Sequence, residues 1–164
     1  MLEMARSDLN RRKLRGGRRY SRHLQRWASK LRVDLSPGHW YDLWHQHPDF
    51  FGWSRKSGRW RRAHLVALFE AFEMLLRQVA EHQGAYQAFL GINRQDSPGD
   101  AIYFHTPNPN SSNFPHAFSG FSWDAPIPSW LAPFVDRQRF EFGQTSFEGD
   151  YSYVVVPRGK GGRI

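Results

Sequence analysis

The chain has 164 residues, 40% hydrophobic and 16% aromatic, which excludes a disordered polypeptide because aromatic burial on that scale can offset the chain entropy lost on folding. It contains no cysteine, so disulfides and thiolate metal sites are excluded too. The net charge of +8 is unevenly placed: residues 1–32 carry eleven Lys and Arg against Glu3 and Asp8, a net +9, while the remainder holds twelve basic and thirteen acidic residues, a net −1.

Residues 1–17 read as a basic flexible arm ending at Gly16-Gly17. From 18 to 33 the apolar positions Tyr20, Leu24, Trp27 and Leu31 recur at helical spacing, leaving Arg18, Arg19, Arg22, Arg26 and Lys30 as a cationic face. Ser36-Pro37 has the form of a helix start, a capping side chain followed by proline at the first helical position. That predicts a short helix ending by Gln46 or His47, because Pro48 disfavours helical geometry before it. Residues 49–58 read as a loop. A long helix is then expected over 59–82, with Leu65, Leu68, Phe69, Phe72, Leu75, Leu76 and Val79 as its stripe and Gly84 as its stop.

After Gly84 the period changes. Residues 86–92 and 101–105 read as strands and 107–133, with six of the ten prolines, as a long ordered loop. Residues 134–147 and 151–156 read as a hairpin around Glu148-Gly149-Asp150, with Tyr153 and Val155 on one face and Val154 and Val156 on the other. Residues 158–164 read as a loose tail. The order of elements predicts one α+β domain over 18–157, its N-terminal helices packed on an antiparallel sheet formed by the C-terminal half. No run approaches the roughly 18 apolar residues of a membrane span, and no apolar signal-peptide run follows the basic start. A soluble, cytoplasmic protein is expected.

Two stretches are rich in functional residue types. HWYDLWHQHPDFFGW, 39–53, combines three histidines, two aspartates and six aromatics. Read as a helix, it sends Trp40 and Trp44 into the core with Asp42 and His45 at its polar edge. Its exposed members would anchor a partner, since Trp, Tyr, His and Asp make strong interface contacts. Histidines four apart on a helix, the spacing of helical zinc sites, do not occur here. HTPNPNSSNFPH, 105–116, is a proline-stiffened loop at a strand end, suited to recognition because it loses little entropy on binding. Neither stretch joins a nucleophile to a base, and phosphate-cradling glycine loops are missing.

The arrangement WYDLWHQHPDFFGW, RAHLVALFEAF and DSPGDAIYFHTPNPNSSNFP resembles small bacterial immunity proteins, the partners encoded beside polymorphic or secreted toxins. It spans residues 18–116, most specifically Trp40 to His45 and His105 to Asn110. The resemblance implies a protein that neutralises a cognate toxin. It carries no catalytic residues, because immunity families share none. Inhibitors of nuclease toxins are usually acidic, so a chain with a basic arm implies a toxin with an acidic surface instead.

The leading expectation is therefore a non-enzymatic protein-binding protein needing no cofactor or metal. Its contacts would be Trp44, His45, His47, Phe50, Trp53, His105, Asn108 and Asn110. Its basic surface would comprise Arg18, Arg19, Arg22 and Arg26 with the cluster Arg55, Lys56, Arg59, Arg61 and Arg62. One alternative is a nucleic-acid-binding module using the arm and Arg55 to Arg62, where Trp60 interleaves with the charges. A second is a metal-assisted hydrolase built on Asp42, His45, His47, Asp49 and His105.

Overall fold

A computed structural model describes residues 22, 25–38, 40–42, 58–93, 100–107, 120–147 and 150–162. They form an α+β arrangement: strand β1 (Trp40–Asp42), helix α1 (Gly58–Gln78), then β2 (Gln87–Asn93), β3 (Ala101–His105), β4 (Phe140–Phe147) and β5 (Asp150–Pro157). The strands make one sheet in the order β1-β3-β2-β5-β4, antiparallel at every pairing.

Helix α1 forms where the apolar spacing demands it, but its centre is not a one-sided stripe. Every residue from His64 to Phe72 is buried, Val66, Ala67 and Ala71 included. A helix buried all round needs material on two sides. Phe72 meets the sheet, 6.4 Å from Phe104 and 6.0 Å from Phe140 between ring centroids. Phe69, about 60° round the helix from Phe72, stacks on Phe134 at 6.0 Å, and on the back of the helix Val66, Ala67 and Glu70 are buried as well, with Gln25 bonded to Glu70. The second layer is built from the 125–135 stretch, through Leu131, Phe134 and Val135, and from the N-terminal segment, through Trp27, Ala28 and Leu31. Each fully buried Phe or Leu contributes about 1.5–3 kcal/mol relative to leaving it in water, so this helix dominates the core.

Gly84 does not adopt the positive φ of a capping glycine, and the helix closes at Gln78 with tightened turns. The turns beyond it are held from a distance by Lys160, whose ammonium donates to the Ala80 carbonyl at 2.9 Å and to that of His82. Lys160 belongs to the stretch expected to be loose. Residues 158–162 are instead tied back, with the Ala88 amide donating to Gly161 O at 2.7 Å and that of Arg158 to Arg139 O at 2.8 Å.

The expected helix at 36–46 is overturned as far as it is described. Gly38, with φ 74°, makes Pro37-Gly38 a turn of the kind that wants proline first and glycine second. The Ser36 amide and hydroxyl go to Asp34 Oδ1, at 2.9 and 2.6 Å, instead of capping a helix. The chain then runs along β3 as β1, so one strand of the sheet comes from the N-terminal part of the chain. Residues 43–57 and 108–119 lie outside the described residues.

The sheet's two faces are both apolar. Ala88, Leu90, Ile92, Ile102, Phe104, Tyr153 and Val155 face α1, and Phe89, Val154 and Val156 the other side, where Tyr103, Phe121 and Trp123 pack on them. Gly91, Val154 and Gly143 are paired in one cross-strand row. That row is kept low because Trp123 lies on it: a Cβ at Gly143 would sit 3.1 Å from the indole and 3.0 Å from Val154. The Trp123 segment is held by reciprocal backbone bonds between Ser122 and Gln144, at 2.7 and 2.9 Å. Gly143→Leu should therefore lift Trp123 off the sheet and lower unfolding stability by roughly 2 kcal/mol, measured by urea titration; unchanged stability would show that this glycine is not needed for close approach.

Candidate functional site

The sheet brings one expected site residue into view, at the β1 end of the second face. His105 pairs across the ladders with Gln87 on one side and Trp40 on the other. Its ring meets Phe89 edge-to-face at 5.1 Å and 85°, and Phe89 in turn stacks on Tyr103 at 4.6 Å. Strand alternation produces this grouping, because 87, 89, 103 and 105 all occupy alternate positions of adjacent strands. The neighbouring connection is stitched by Thr106, whose hydroxyl donates to Ser36 O, and by the Gly38 amide on Pro107 O at 2.9 Å.

His105 is 1% exposed, and burial pushes its pKa down from the ordinary imidazole value to about 4. At neutral pH it is an uncharged interior ring. Its expected role as a surface contact is therefore corrected: a partner docked on the outside cannot reach it. In the ladder Trp40 lies opposite His105, and Asp42 opposite Tyr103 two residues along the same face. Among the described residues no three His, Asp or Glu side chains are placed to hold a metal ion.

The other expected residues divide simply. Trp44, His45, His47, Asp49, Phe50, Trp53, Arg55, Lys56, Asn108, Asn110, Arg18 and Arg19 lie outside the described residues. Arg59, Arg61 and Arg62 fall in the first turns of α1 by backbone. Arg22 and Arg26 are exposed on the side of their segment away from Trp27, Ala28 and Leu31.

Two polar groupings were not anticipated. His64 Nε2 lies 2.8 Å from Asp100 Oδ2 with both side chains 0% exposed, a hydrogen bond that fastens the early part of α1 to the start of β3. Glu70, also buried, accepts from the Gln25 amide and moors the N-terminal segment to the same helix. A sequence signal for the first existed. His64 stands four residues before Leu68 and eight before Phe72, on the core stripe, where an imidazole needs a partner. A histidine-carboxylate pair in an open cleft would be a general-base candidate. Here both side chains are 0% exposed, and the pair joins the helix to the start of β3.

No family model, curated protein or solved structure matches the chain. No helix among the described residues is long and apolar enough to cross a membrane.

Two outcomes follow from these buried groups. His64→Leu removes the imidazole from a buried carboxylate and should cost roughly 3–5 kcal/mol, part of it recovered in His64→Leu/Asp100→Leu; denaturant unfolding of both variants checks this, and a mild single-variant effect with no recovery would contradict the fastener role. For His105 the folded pKa lies below the unfolded one. Between about 4 and 6.5 the unfolded chain binds a proton that the native chain does not. Its contribution is therefore complete above pH 6.5 and falls away toward pH 4, by on the order of 3 kcal/mol. Stability curves of wild type and His105→Leu should converge in that window.

Proposed function

We propose that this is a non-enzymatic cytoplasmic protein that binds a protein partner through a positively charged surface, the partner being a bacterial toxin that it neutralises. The observation that carries this reading is the mooring of the cationic segment. Trp27, Ala28 and Leu31 are packed into the core and Gln25 is bonded to Glu70, while Arg26 and Lys30 are exposed between them and Arg22 is exposed ahead of them. Charges on a fixed mount offer a defined pattern to a partner, and they raise association rates more than charges on a loose chain would.

Among the described residues His64, Asp100 and His105 are held away from solvent, which favours a binding role for them over proton transfer. Trp130 adds a contact of the type that anchors interfaces. It is 36% exposed and braced edge-on by Tyr153 at 5.6 Å.

The test is to mix the full chain with the product of the adjacent gene and follow complex formation by size-exclusion chromatography and calorimetry. A stable complex is expected, weakened roughly tenfold by Arg22→Glu/Arg26→Glu at low salt and less so at high salt. No complex would overturn the reading. A salt-steep affinity for oligonucleotides, abolished by deleting residues 1–17, would replace it with the nucleic-acid reading.

A further inference from the structure

Folding sorts charge by depth in a way that residue counts hide. Every basic residue whose side chain is described, from Arg22 to Lys160, is exposed. The acids are mostly withdrawn: Glu70 and Asp100 are buried, Glu73, Asp136 and Glu141 half-buried, and Asp34, Glu81 and Asp124 exposed. Over the described residues the exposed charge is thus mostly positive, Arg22, Arg26, Lys30 and Arg32 of the N-terminal segment adding to Arg77, Arg137, Arg139, Arg158 and Lys160.

The excess gathers where the C-terminal end of α1 meets the outer ends of β4 and β5. Arg77, Arg137, Arg139 and Arg158 arrive there from three separate stretches of chain. Arg139 bonds Glu73 at 3.0 Å, and Arg77 lies 3.9 Å from the same carboxylate. Arg158 lies 3.7 Å from Glu141 and donates its Nε to the Arg137 carbonyl at 2.8 Å. The side chains of Arg77, Arg139 and Arg158 are 69%, 54% and 51% exposed, whereas those of Glu73 and Glu141 are 14% and 26%. Positive charge forms the outer surface and negative charge its support. Lys160 adds little, being committed to carbonyls of the turns beyond α1, with exposed Glu81 between them.

This cluster and the segment discussed above are both fastened to α1. Gln25 is tied to Glu70 and Arg139 to Glu73, and residues three apart on a helix are surface neighbours. We propose that Arg77, Arg137, Arg139 and Arg158 extend the 22–32 segment into one cationic face along α1, and that this face docks on an acidic protein surface. The inference rests on the binding function proposed above and specifies its partner. Guanidinium forks match carboxylates in paired geometry. Recessed Glu73 and Glu141 would repel a continuous phosphate track, but they can accept from basic residues interspersed on a protein surface. An acidic protein is thus favoured over nucleic acid.

The experiment uses the full chain with poly-L-glutamate and, separately, a thymidine oligonucleotide, followed by fluorescence anisotropy at several salt concentrations. Arg77→Gln/Arg137→Glu changes the face without touching the Glu73–Arg139 or Glu141–Arg158 contacts. It should weaken poly-L-glutamate binding by roughly tenfold while leaving the thermal midpoint near that of wild type. If the midpoint falls, Arg77→Gln alone should still show a smaller loss in the same direction. Wild-type affinity in the folded double variant, with binding lost in Arg22→Glu/Arg26→Glu, would overturn the extended face while leaving the proposed function standing. Binding of the oligonucleotide in preference to poly-L-glutamate would overturn the acidic-protein occupant. Failure of wild type to bind either probe or the adjacent gene product would overturn both readings together.

Discussion

Helix α1 has to bury apolar side chains on opposite sides at once, and the rest of the structure is arranged to meet that demand. Phe72 needs the sheet, through Phe104 and Phe140, while Val66, Ala67 and Glu70 on the back of the helix need cover of their own, to which the N-terminal segment contributes through Gln25. A helix enclosed in this way cannot leave its polar residues to water. His64 and Glu70 therefore draw partners from each flank, Asp100 from the strand side and Gln25 from the N-terminal side. An unpaired buried group would cost about 1–3 kcal/mol, more if charged, so these partners are as much a condition of the fold as the aromatic contacts. They also dictate direction and register, which apolar contacts alone specify loosely.

The sheet answers a similar demand on its far face. Antiparallel sheets commonly leave one face wet. Here Phe89, Val154 and Val156 make that face apolar, and the Phe121–Trp123 stretch closes over it. The closing is possible because Gly91 and Gly143 flank Val154 in one low row. On the same face His105 is buried against the Phe89 ring and loses the solvation its charged form requires, which holds its pKa down at about 4.

How much of this was legible in the sequence depended on the length scale of the signal. The α1 stripe and the alternation in β2, β3 and β5 were readable because each repeats within one element. The segment at 36–42 was misread for a local reason. Ser-Pro is a good helix start, Trp40 and Trp44 are spaced for one, and a three-residue strand is too short to show alternation. The positive φ of Gly38 and the availability of the β3 edge decided otherwise, and only the second is tertiary. His105 was recognisable as an unusual residue, yet its burial depends on strands and loops from distant parts of the chain. The His64–Asp100 pair joins residues 36 apart, a distance over which periodicity carries no information.

Charge was the property where summing residues misled most, and the reason lies in side-chain reach. A carboxylate is short, so one placed near the core is buried with its backbone and survives by attracting a donor, as Glu70 and Asp100 do. An arginine in a comparable position has the reach to keep its head at the surface, as Arg139 does with its guanidinium 5.4 Å from the Phe140 ring centroid and its side chain 54% exposed. A residue count therefore misstates the surface at this end of α1: Glu70 and Asp100 become internal partners, Glu73 and Glu141 recessed supports, and Arg77, Arg139 and Arg158 the exterior, while Asp34, Glu81 and Asp124 stay exposed elsewhere. Electrostatic steering responds to that exterior and not to the net count, so recognition of an acidic partner is compatible with a body whose formal charge is close to zero.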